Sequence, residues 1–133
     1  MADNFEFLDK LDSMLYADIK EAQKLFCDEY FNQSMVALRI FAENMSKKIL
    51  NSNENHTFDD TLSTLKDRAK TDRQKEFLED MYSIKQIGNK CAHGEDIEAS
   101  VALGAIRCAF EAAINYYYFK KGPTKVDKLR FDD

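Results

Sequence analysis

The sequence predicts an all-α fold, an up-and-down bundle of four to five helices. Three observations carry that reading. Apolar residues recur at steps of three and four through most of the chain, the period of one helix face. Breakers are few, with four Gly and one Pro in 133 residues, too few for the many turns of an all-β fold. Residues that favour N-caps stand just ahead of several apolar runs. The length suits one domain, placed at residues 1–121, with 122–133 as a charged tail or the start of a further segment.

The first helical segment covers residues 5–27. Leu8, Leu11, Leu15, Ile19, Ala22 and Phe26 form its stripe. Asp3 or Asn4 is suited to cap its start, and a break near residues 11–13 would divide it into a short and a long helix. The second covers 33–50, with Asn32 as N-cap and Met35, Leu38, Phe41, Met45 and Ile49 as its apolar face. Lys47 and Lys48 suit the negative end of its dipole, and the polar run at 51–55 reads as a loop. The third is short, 58–70, capped by Thr57. In the fourth, Thr71 and Gln74 have capping-box spacing. Phe77, Met81, Ile84, Gly88 and Cys91 line one face of it, and Gly94 suits the left-handed position that closes a helix. The fifth starts after Asp96 and runs to about 121. It carries two apolar stripes, one through Ala105, Cys108 and Ala112 and one through Ile106, Phe110 and Ala113. A helix apolar on two sides must bury both, so it is either central to the bundle or covered by another subunit. Gly122-Pro123 ends it.

Bulk properties exclude several classes. A net charge of −5 argues against a general polyanion-binding surface, which usually carries a basic excess. Cys27, Cys91 and Cys108 are odd in number and far apart, as suits a reducing compartment. Asp3, Glu6 and Asp9 interrupt any secretory signal, and no run approaches the roughly 20 apolar residues of a membrane span. The expectation is a cytoplasmic protein that does not engage membranes.

One stretch departs from ordinary core and surface. His93, Asn89, Gln86 and Tyr82 step back along the fourth helix by four, three and four. They therefore stack into one ridge of uncharged hydrogen-bonding groups. The plain reading is that Asn89 and His93 tie down the turn between helices four and five. The sharper readings are an acid–base site, since His exchanges protons near neutral pH, or a recognition surface. A metal is not expected. Cys91 and His93, two apart, point about 200° away from each other on a helix, His56 is isolated, and no cofactor motif occurs. Arg39 and Glu43, like Arg107 and Glu111, have the spacing of surface ion pairs. The basic stretch 66–75 reads as solvated surface.

The segments Asn4-Phe5-Glu6-Phe7-Leu8, Ala37-Leu38-Arg39-Ile40-Phe41-Ala42-Glu43 and Ile84-Lys85-Gln86-Ile87-Gly88-Asn89-Lys90-Cys91-Ala92-His93-Gly94 together resemble a bacterial domain of unknown function. It belongs to the HEPN-like superfamily of helical bundles. Such domains sit at the amino end of type I restriction endonuclease R subunits and of other helicase or nuclease proteins, and also occur alone. The resemblance implies a homodimer or a larger nuclease or helicase partner. Active HEPN ribonucleases place an Arg, then four to six residues, then a His. His93 and Asn89 match that pattern, but Gln86, Ile87 and Gly88 hold the Arg positions. An Arg stabilises phosphate charge in the transition state and Gly cannot. The expectation is therefore a non-catalytic interaction or dimerisation module associated with restriction or defence machinery. The alternative is a metal-independent ribonuclease or RNA-binding protein that uses His93. Arg39, Glu43, Tyr82, Gln86, Asn89 and His93 are expected to form one partly buried polar network joining helices two and four.

Overall fold

The computed structural model describes residues 1–51 and 56–133. Among these, five α-helices and two short 3-10 turns make up the regular structure. The helices are α1 (Ser13–Cys27), α2 (Phe31–Leu50), α3 (Phe58–Arg68), α4 (Asp72–Ala92) and α5 (Ala99–Lys121). They pack as a bundle around a single apolar core.

The expected break falls before α1. A 3-10 turn at Glu6–Leu8 precedes it, and Asp12 is its N-cap, accepting the Leu15 amide at 3.1 Å. Neither Asp3 nor Asn4 caps α1, because the chain is not yet helical there; Asp3 accepts the Phe5 amide instead. Asp12 also pairs with Lys48 near the end of α2. Burial pushes the Asp12 carboxyl up, but the bonds from Lys48 and the Leu15 amide outweigh it, and its pKa lies below the usual value. At the α1–α2 turn the amides of Glu29 and Tyr30 return to the carbonyls of Phe26 and Leu25. This is a Schellman closure with Glu29 at φ +65°, where glycine is the usual choice.

Helix α2 begins at Phe31, earlier than expected, and touches each of the other four helices. Met35, Leu38, Phe41 and Met45 are buried as read. Its two buried hydroxyls are satisfied: Ser34 donates to the Ala22 carbonyl (2.7 Å) and Ser46 to the Ala42 carbonyl (2.9 Å). Asn51, at φ +51°, ends the helix; the rest of the expected loop at 51–55 lies outside the described residues. The capping boxes Thr57/Asp60 and Thr71/Gln74 start α3 and α4.

Helix α5 resolves the two-sided pattern. Most of both apolar sides is covered within this chain, with Val101 near the start of the helix 46% exposed. Packing on α2 and α4 covers one part, and the two chain termini cover another. The Phe5 ring sits edge-on to Phe41 and Phe110 (6.1 and 5.9 Å), Phe7 meets Phe110 and Tyr117, and Phe131 from the tail meets Phe110 at 5.6 Å. Asn4 and Asp132 exchange two hydrogen bonds (2.9 and 2.8 Å), and a 3-10 turn at Lys125–Lys128 is closed by Thr124 and Asp127. Arg107 pairs with Asp133 of this tail, not with Glu111 one turn along its own helix. No described helix is long and apolar enough to cross a membrane.

Candidate functional site

The Gly88–Gly94 segment is built mostly from backbone requirements. At Gly88 α4 lies close against α2. A Cβ placed there would lie 2.7 Å from the Cβ of Arg39, well inside van der Waals contact. Three residues on, Cys91 is buried, and burial raises its thiol pKa. At the end of the helix Gly94 takes φ +88°, as its position suggested. The Gly94 amide donates to the Cys91 carbonyl and the Glu95 amide to the Lys90 carbonyl, both at 3.1 Å. That pair of bonds is the Schellman closure.

The turn that follows is held by a residue assigned elsewhere. Asn32, in the first turn of α2, donates its Nδ2 to the Glu95 carbonyl at 2.8 Å. It therefore anchors the α4–α5 turn and does not cap α2, which has no side-chain cap.

The expected hydrogen-bonded network does not form. His93 is the C-cap of α4 and is exposed; its amide donates to the Asn89 and Lys90 carbonyls, and its imidazole makes no hydrogen bond among the described residues. Glu43 pairs with Lys47 at 2.8 Å instead of Arg39. The reason is geometric. Arg39 points into the groove between α2 and α4, where its aliphatic stem lies on Gly88 and its guanidinium carbon sits 5.8 Å from the Phe58 ring centroid of α3. Glu43, half-buried, has Lys47 one turn on, and a Glu preceding Lys by four is the favourable order on a helix. The Arg39 Nε is the one buried side-chain nitrogen or oxygen without a partner among the described residues. Tyr82, Gln86, Asn89 and His93 do share one side of α4, but as a surface. Tyr82 is 39% exposed, Gln86 and His93 are exposed, and Asn89 is half-buried.

Ile40 is 48% exposed. Lys85 of α4 pairs with Asp59 of α3. Tyr82 itself lines a shallow concavity with Lys66 and Ala69 at the end of α3.

Two sites were not anticipated. Arg73, within the basic stretch 66–75, is not simply solvated. Its guanidinium lies 3.9 Å from the Tyr118 ring centroid and donates to Asn115 and Asp127 (3.2 and 3.3 Å). Asp80 is half-buried beside Cys108 and has no cation partner among the described residues. Burial, with the charges of Glu111, Glu79 and Glu76, pushes its pKa up to about 7, against a smaller lowering by the Cys108 thiol. A clue was in the spacing, since Asp80 follows Phe77 by three and precedes Ile84 by four, at the edge of the apolar stripe. Among the described residues no group of three or more His, Cys, Asp or Glu is placed to hold a metal ion.

No family model, curated protein or solved structure matches this chain.

Proposed function

We propose that this chain is a non-catalytic helical interaction module that associates with a second copy of itself through the α2–α4 face. Its setting would be the restriction or defence machinery that the resemblance implies. One observation carries the proposal. The ridge of Tyr82, Gln86 and His93 spends none of its side-chain hydrogen bonds among the described residues, and α2 carries an exposed apolar side chain, Ile40. Interface centres are depleted in charge and enriched in Tyr and Arg, and a two-fold contact needs one self-complementary patch. The exposed Tyr82 and Ile40, with the uncharged donors and acceptors of Gln86 and His93, fit the first condition, and a second copy would supply the matching surface for the second.

The test is multi-angle light scattering across a range of concentrations. Wild type should move from monomer to dimer, and the double variant Ile40→Asp/Tyr82→Ala should stay monomeric. The control is Met14→Asp, at a position 73% exposed on α1, which should dimerise like wild type. A wild type that stays monomeric throughout, or a double variant that dimerises equally well, refutes the proposal. Total RNA incubated with wild type or with His93→Ala should remain equally intact. RNA loss that depends on His93 would favour a ribonuclease instead.

A further inference from the structure

Where α2, α3 and α5 end and α4 begins, the bundle leaves an open cleft of about 350 Å³. Leu65, Ala69, Phe77, Leu78 and Phe119 form its apolar walls, with the Phe77 and Phe119 rings edge to face at 5.8 Å. Arg68 and Lys120 stand on its lining. Ala69 and Leu78 are shared with a second concavity that Lys66 and Lys75 also line. Most of the basic stretch 66–75 therefore borders one furrow. Glu79 is the one carboxylate lining either concavity among the described residues.

These cations are not equally engaged. Lys120 donates to the Lys48 carbonyl at 3.0 Å and lies over the Tyr116 ring. Arg73 is held by Asn115, Asp127 and Tyr118. Arg68, Lys66 and Lys75 form no ion pair among the described residues. In a chain of net charge −5, this furrow is a local reversal of sign, and such a reversal concentrates anions.

We propose that the cleft binds a small amphipathic monoanion, a medium-chain carboxylate. Its hydrocarbon body lies among Leu65, Phe77, Leu78 and Phe119, and its carboxylate meets the Arg68 guanidinium. Size, wall chemistry and charge each select this class. The volume is near the lower end of the roughly 300–1,000 Å³ of ligand clefts, which suits a short amphipathic ligand. Apolar walls with one convergent polar group orient such a ligand. A guanidinium presents two parallel N–H groups to a carboxylate. The cleft lies at a different end of α4 from the His93 turn, but Tyr82 lines the adjoining concavity, so octanoate binding is measured at a protein concentration where the chain is monomeric.

Isothermal titration with octanoate and with octanol tests the proposal. Octanoate should bind saturably, and octanol about tenfold more weakly or less, the ratio expected from one charge-assisted hydrogen bond. Arg68→Gln should lower octanoate affinity about tenfold and leave octanol unchanged. Ala69→Phe, which fills the cleft, should abolish both, with far-UV circular dichroism reporting that the fold is intact. If that variant does not fold, the Arg68→Gln comparison decides alone. Absence of saturable octanoate binding, equal binding of octanol, or octanoate affinity unmoved by Arg68→Gln overturns the assignment.

Discussion

Replacing glycine with alanine at two helical positions should shift stability in opposite directions. At Gly88 the added Cβ would meet the Arg39 Cβ at 2.7 Å and its Cδ at 3.0 Å. The nearest atom is fixed to the α2 backbone, so rotating the Arg39 side chain cannot clear it, and α2 and α4 must move apart. Overpacking of this kind costs about 1–3 kcal/mol. Against it stands the helix propensity gained by replacing glycine, about 1 kcal/mol. The clash therefore wins by about 1 kcal/mol. Gly104 is in the middle of α5, yet a Cβ there would meet nothing within 4 Å. Only the propensity term applies, so Gly104→Ala should stabilise by up to about 1 kcal/mol. For a chain of this length 1 kcal/mol corresponds to roughly 3–5 °C in Tm. Thermal and urea unfolding followed by circular dichroism should place the two variants on opposite sides of wild type. Adding Arg39→Ala to Gly88→Ala should recover only part of the loss, since the Cβ remains. A Gly88→Ala protein as stable as wild type, or a destabilised Gly104→Ala protein, would refute the close crossing of α2 and α4.

Other consequences follow from single contacts. Asp80 has its folded pKa raised from 3.8 to about 7; the folded state therefore holds a proton that the unfolded state releases between those values. Stability from this group is complete at low pH and is lost as pH rises toward 7, so Asp80→Asn should raise Tm at pH 8 by several degrees and much less at pH 4. Asp12 has the opposite sign. Its lowered pKa adds stability above the usual carboxylate range that fades in acid, and Asp12→Ala, which removes both cap and ion pair, should cost about 1–2 kcal/mol at pH 7 and less near pH 2. His93→Ala should change stability by no more than about 0.5 kcal/mol, as for other exposed positions. Asn32→Ala removes the bond to the Glu95 carbonyl and should cost about 1 kcal/mol. If His93→Ala proves the more damaging of the two in thermal melts, the placement of the α4–α5 turn is wrong.

Much of the fold was legible because helix signals are local. Stripes at steps of three and four placed Leu15, Ile19, Leu38, Phe41, Met45, Met81 and Ile84 in the core, and each is buried. Thr57, Thr71 and Gln74 act as read because a capping box is complete within four residues. Gly94 has its positive φ for the same local reason. The errors came where a side chain had a choice of distant partners. Asn32 had the composition of an N-cap but reaches 63 residues along the chain. Arg107 had Glu111 at ion-pair spacing, yet the tail brings Asp133 to it. Arg39 had Glu43 at the same spacing, but α4 crosses close enough to draw its stem onto Gly88.

By itself, the sequence determined the helices, the capping boxes of α3 and α4, and most of the faces the helices bury, because each depends on residues a few positions apart. Only the tertiary structure decided what covers the second side of α5, where Arg39 points, and whether the Tyr82–His93 ridge turns inward or to solvent. Those outcomes depend on how α2, α4 and the two chain ends approach one another. No periodicity within a single helix encodes that approach.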